Sequence, residues 1–165
     1  MDLRLKSVFL VSVALLLIGS RSFLRAADAS AVGGGMVDGP PALTPQLGFG
    51  ATSAGGSFQC GMAGRSGGFA FGPWSQVLQM EVHGDATPGS LSINLEGSAV
   101  FEGKAFVQVM GRGADGKIVK AVFNDVDYST THTGGGPGEA THQLNVLGLV
   151  FGPAPLKQRR ITITP

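Results

Sequence analysis

The chain holds one cysteine, one tryptophan and one tyrosine among 165 residues, and only 14% of it is charged. A lone cysteine rules out an intramolecular disulfide. Cys60 shares strand parity with Phe58, so it reads as a small core hydrophobe, with an intermolecular disulfide as the alternative. Its surroundings, "FQCGMAG", bring no histidine, which argues against a catalytic thiol. Apolar residues at helical spacing are also scarce. So is basic charge: "KQRR" at Lys157 to Arg160 is the one basic cluster. It sits before a β-like tail and reads as a solvated loop, so the phosphate-neutralising face of a nucleic-acid binder is missing.

The first 29 residues read as a leader. Arg4 and Lys6 precede the apolar run "VFLVSVALLLI", and small residues in A-x-A spacing follow at Ala27/Ala29 and Ala29/Ala31. A positive start, a short apolar core and small residues at the cleavage site make a secretory signal. The apolar run is shorter than the roughly 20 residues of a spanning helix, and Arg21 interrupts its extension. The sequence therefore predicts a secreted, periplasmic or cell-envelope protein with no stable membrane span after cleavage. Arg4, Lys6, Arg21 and Arg25 leave with the leader, as do Asp2 and Asp28, so the remainder carries 8 cations and 9 acids.

From residue 30 to 55 the composition is Gly, Ala and Pro. "GGGMVDGPPALTPQ" has few large apolar residues to offset its ordering entropy and is expected to be a flexible linker. Period-two patterning dominates residues 56–165. "VLQMEVHG" alternates Leu78, Met80 and Val82 against Gln79, Glu81 and His83, and "SLSINL" alternates in the same way. Further strands are expected at 57–62, 68–71, 99–110 (one bent strand or two), 117–126, 141–151 and 160–164. Asp115-Gly116 and Thr87-Pro88-Gly89 supply turn chemistry. The pattern predicts an all-β domain, an antiparallel sandwich or partly closed barrel of about seven or eight short strands.

Few residue groups suggest chemistry. "GRGADG" at 111–116 fits G-x-G-x-x-G, but the strand-like "KIVKAVF" follows where a phosphate-binding helix would be needed, so it reads as a hairpin turn. No G-x-S-x-G occurs. The serine of "GRSGG" at 64–68 has its glycines at the wrong spacing, leaving a hydrolase as a distant third reading. His83 reads as a satisfied structural histidine.

The stretch "DYSTTHTGGGPGEATHQL" from Asp127 to Leu144 is the densest in polar chemistry. Asp125, Asp127 and Glu139, with loop carbonyls, could form a calcium site at a sheet edge, although their spacing matches no EF-hand. His132 and His142 lie ten residues apart and lack the close pairing of a zinc site. The favoured reading is a connecting loop with solvated acids, and calcium is the one candidate cofactor. Trp74 and Tyr128 are the candidate stacking surface for a sugar.

The pieces "GGSFQC", "FAF", "EVHGDAT", "AFVQVMG", "GGGPGEATHQL" and "RITI" give the run from about Gly55 onward a resemblance. It resembles a loose group of small exported bacterial β-proteins to which no activity is assigned. The resemblance implies export and an all-β fold. The group often carries an acid on each side of its glycine loop. Here Glu139 is kept, but Thr141 or His142 stands where the second acid would be.

The expectation is thus an exported, non-enzymatic structural or interaction module. A carbohydrate- or calcium-binding β-domain is the alternative. Self-association through edge strands such as "RITIT", or through Cys60, is open to either.

Overall fold

The computed structural model describes residues 29–40, 42–64 and 68–165. The expected leader, apart from Ala29, and the centre of "GRSGG" lie outside the described residues.

The fold is all-β and antiparallel. Ten strands are present among the described residues: β1 (Ser30–Met36), β2 (Thr44–Thr52), β3 (Gly55–Ala63), β4 (Trp74–Ala86), β5 (Ser92–Ile93), β6 (Ser98–Gly113), β7 (Ile118–Thr133), β8 (Thr141–Val146), β9 (Leu149–Pro155) and β10 (Ile161–Thr164). They form one sheet in the order β10-β1-β2-β3-β4-β6-β7-β8-β9, with β5 paired to β6. The sheet curls into a half-barrel, and residues from β2, β3, β4, β6, β7 and β8 share one buried core. No helix among the described residues is long and apolar enough to cross a membrane.

Two isolated bridges cross the opening of the curl, Val37 with Leu156 and Gly135 with Ile161. Across it Lys157 donates its backbone N–H to Met36 O at 2.7 Å, and Ile161 and Gly135 exchange N–H···O bonds at 3.0 Å. The "RITIT" strand is therefore paired to β1 along one edge and tied at Ile161 on the other.

Three expectations are corrected. Residues 30–55 are not a linker, because Ser30–Met36 and Thr44–Thr52 are strands of the sheet. Alternate residues Leu47, Phe49 and Ala51 point into the core, and glycine allows the close strand contacts that replace large side chains. A Cβ on Gly33 would lie 2.8 Å from the backbone of Ile161. Second, 68–71 is not a strand; Phe71 makes only a bridge to Trp74. Third, the described residues form ten strands, two of which run 16 residues each. Segment 99–110 lies inside a single long strand, whose odd-numbered residues from Ala99 to Gly113 are all buried.

The hairpin at "GRGADG" forms as the sequence predicts. Gly116 takes φ 78°, and Lys117 N–H donates to the Asp115 carboxylate at 3.1 Å. The turn after β4 also forms, with Gly89 at φ 80° and Ser90 N–H donating to Thr87 O at 3.0 Å.

Two bulges decide which side chains reach the interior. In β4 the register shifts between Val77 and Gln79, so Val77 is buried and Leu78 only half-buried. In β7 the ladder shifts between Val107/Phe123 and Ala105/Val126. Asn124 and Asp125 then stand opposite Phe106 alone, and Asp125 takes the left-handed φ of 57°. An extra residue reverses the alternation beyond it. Before the bulge Val119, Ala121 and Phe123 face the core; after it Tyr128, Thr130 and His132 do.

Candidate functional site

The reversed alternation of β7 puts a polar column inside an apolar half-barrel. Thr130 and His132 are fully buried and His142 is 3% exposed; these are the buried polar side chains among the described residues. His132 and His142 are directly opposite each other in the β7–β8 pairing. Their spacing of ten is therefore that of a cross-strand pair around the glycine-rich loop. The imidazoles lie 5.0 Å apart between centroids. His132 stacks on Phe49 at 3.7 Å and on Phe101 at 5.5 Å, and Phe58 stacks on His142 at 5.9 Å.

Thr130 Oγ1 lies 2.8 Å from Gln143 O, 3.0 Å from His132 Nε2 and 3.4 Å from His142 Nδ1. These three contacts assign the protons by elimination. A backbone carbonyl can only accept, so the hydroxyl spends its one proton on Gln143 O. Its two lone pairs remain as acceptors. His132 Nε2 and His142 Nδ1 are therefore assigned as the N–H donors. The other nitrogens, His132 Nδ1 and His142 Nε2, then carry bare lone pairs, and neither has a hydrogen-bond partner within the protein. Burial lowers the pKa of His142 to about 4. It lowers that of His132 well below the ordinary value, with the charge of His142 adding to the effect. Both rings are neutral at pH 7.

His142 also lines a cavity of about 330 Å³, whose wall includes Cys60, Met62, Leu144 and Phe151 and whose rim includes Val37–Pro40 and Pro153. The volume falls in the range of small-molecule sites, which combine apolar walls with a few fixed polar groups. The polar residue of this wall is His142, whose Nε2 is itself buried from the cavity. Asp38 at the rim is paired with Lys157 at 2.5 Å. Cys60 is 3% exposed and burial pushes its thiol up to about 12. It is a protonated wall group, and its burial removes it as a link between chains.

The residues singled out by sequence lie elsewhere or in other roles. Trp74 is 2% exposed and its indole N–H donates to Val119 O at 2.9 Å, so it is core rather than a stacking surface. Tyr128 is also interior and stacks on Phe58 at 5.4 Å. Its hydroxyl has no protein partner, and burial together with the Asp85 carboxylate pushes it up to about 12. Asp127 pairs with Lys104 at 2.7 Å on the outer face. Asp125 is exposed at the bulge, and Glu139 accepts from Gly136 N–H at 3.3 Å within its own turn. Residues 127–133 of β7 separate the two aspartates from that turn by about 20 Å of strand. The structure does not bring the three carboxylates together, and among the described residues no group of three His, Cys, Asp or Glu is placed to hold a metal ion. His83, read from sequence as a structural histidine, is exposed on the outer face beside Phe106.

A second, larger depression of about 770 Å³ lies on the outer face, lined by Gln46, Gln59, Glu81, His83 and Arg159 among others. Gln46, Gln59 and His83 are exposed, so no buried, unpartnered polar group points into it.

No protein-family model matches the chain, and comparison with curated proteins and with solved structures found no significant match.

Proposed function

We propose that the chain is an exported, non-enzymatic binding module. In this reading the curled sheet works as a partly closed barrel, and a small, largely apolar molecule occupies the cavity beside His142. The observation that carries the proposal is the largely apolar cavity of about 330 Å³ walled by Cys60, Met62, Leu144 and Phe151. Filling an apolar cavity removes ligand and wall surface from water, at roughly 25 cal/mol per Å² of apolar area. Two details support a non-enzymatic role. Both histidines donate into Thr130, so neither can act as a base toward its hydroxyl. The Cys60 thiol, held at about 12, is not a nucleophile at pH 7. Export is supported by the leader-like pattern of residues 1–29.

The test is thermal unfolding with p-xylene and, separately, with p-cresol. Either one raising Tm in a saturable, concentration-dependent way supports the reading, because a ligand of the native state adds RT ln(1 + [L]/Kd) to stability. Unchanged melting with both overturns it.

A carbohydrate-binding reading would rest on the outer depression, where Gln46, Gln59 and Glu81 offer amides and a carboxylate to hydroxyls. A glycan-array signal lost in a Gln59→Ala variant would favour it.

A further inference from the structure

We infer that a second copy of this chain pairs with the open half of β7, edge to edge and antiparallel, to give a two-fold symmetric dimer. The dimer does not depend on the cavity being occupied.

Strand β7 has two unequal halves. From Tyr128 to His132 it lies between β6 and β8, and Tyr128, Thr130 and His132 are buried. From Ile118 to Asp127 it pairs with β6 alone among the described residues, and no residue of that stretch is buried. Val107 and Val109 of β6 are 0% exposed, whereas Phe123 and Ala121, directly opposite them on β7, are only half-buried. On the outward row Ile118 and Val122 are 52% and 50% exposed. A further strand alongside would cover both rows.

The backbone of this edge is open as well. Gly113 N–H donates to Lys117 O at 2.8 Å, and the register from Arg112↔Ile118 to Val107↔Phe123 is unbroken. Bonded and non-bonded pairs alternate along an antiparallel ladder. Ile118, Lys120 and Val122 therefore turn their N–H and C=O groups away from β6. Such an edge is a template for another strand, and "IVKAVF" at 118–123 is rich in β-branched residues and free of Pro and Gly. The terminal strand β9 differs, because Pro153 and Pro155 cannot donate to a ladder.

Charge selects a copy of the same strand, and its direction. The edge carries one cation, Lys120, and the exposed carboxylate of Asp125 at the bulge. Parallel pairing in register would set Lys120 against Lys120. Antiparallel pairing about an axis near Val122 sets each Lys120 beside Asn124 and Asp125 of the other copy. The bulge ends the open edge, and each copy consumes the same edge, so the assembly closes at two.

Sedimentation equilibrium of the full chain, from micromolar to millimolar concentration, is expected to show a reversible monomer–dimer equilibrium. Val122→Pro removes an N–H that the monomer's own ladder does not use, and proline is tolerated where that group faces outward. This variant is expected to remain monomeric throughout. Val122→Thr keeps the N–H and the branched shape, and is expected to dimerise within about tenfold of the wild-type Kd. Should Val122→Pro fail to fold, amide hydrogen exchange of the wild-type chain replaces it. Protection at Lys120 and Val122 is then expected to rise with protein concentration, while that at Ala121, bonded to β6, stays constant. A wild-type chain that is monomeric at every concentration overturns the proposal. Association that survives Val122→Pro places the contact elsewhere on the chain, and equal loss in Val122→Thr makes it a contact of side chains; either overturns edge pairing. Protection at Lys120 and Val122 that ignores concentration overturns it as well.

Discussion

The hydroxyl of Thr130 sits 3.0 Å from Nε2 of His132, on the same strand and two residues away, with both side chains fully buried. It accepts that N–H while donating to Gln143 O, and so determines the tautomers of two histidines at once. Thr130→Val removes the acceptor and leaves two buried N–H groups unpaired. The expected loss is about 2–4 kcal/mol of unfolding free energy. Thr130→Ser keeps the hydroxyl and is expected to lose less than half as much. Urea denaturation measures both.

Acid is expected to destabilise the fold through the same histidines. Their folded pKa values are lowered, His142 to about 4, from an ordinary 6.5. Below pH 6.5 the unfolded chain therefore binds more protons than the native state. Stability from this source is fully present above pH 6.5 and declines as pH falls toward 4. The slope approaches about 2.7 kcal/mol per pH unit when both rings are linked. His142→Leu is expected to halve it. Denaturation midpoints across pH 4–8 check the sign and the slope.

The sequence revealed stretches of local alternation, including parts of the bulged strands β4 and β7. Val107 and Val109 on β6, Met80 and Val82 on β4, and the Asp115-Gly116 turn could be read directly. Residues 30–55 could not, because composition arguments weigh side-chain area. Gly33, Gly34 and Gly56 contribute to the sheet by letting backbones approach where a Cβ would collide. The interior site was hidden for a different reason. Nothing local in "FNDVDY" announces that Asp125 will take φ 57° and add a residue to the ladder. Without that shift Asp127 would share parity with Phe123, and Thr130 and His132 would face solvent. The histidine pair was visible only as a spacing of ten, which acquires meaning once β7 and β8 are known to form a hairpin with His132 opposite His142.

The bulge residue gives a third prediction. A left-handed conformation costs a β-carbon-bearing residue about 1–2 kcal/mol, less for Asp, and nothing comparable for Gly. Asp125→Gly is expected to leave stability unchanged or raise it by up to about 1 kcal/mol. Asp125→Val is expected to lower it by about 2 kcal/mol, since branching at Cβ worsens the strain. Chemical denaturation of the two variants compares them directly.

Gly84 lies under the ring of Tyr128, and a Cβ there would come within 2.5 Å of Cε1. Its φ is ordinary for a strand, so the constraint is steric. Gly84→Ala is expected to cost about 1–3 kcal/mol by overpacking. In a Tyr128→Leu background the same change is expected to cost much less. A double-mutant cycle with additive energies would deny the contact.

Cys60, buried and held at about 12, is expected to react with an aromatic disulfide reagent only as fast as the chain unfolds. A rate that follows added urea, with no fast phase in native buffer, is the expected result.

The two histidine tautomers are the most direct measurement. Long-range ¹H–¹⁵N spectra of the ligand-free protein at pH 7 should show His132 protonated at Nε2 and His142 protonated at Nδ1, each with its other nitrogen bare. A proton on Nε2 of His142, or an imidazolium on either ring, would contradict the account.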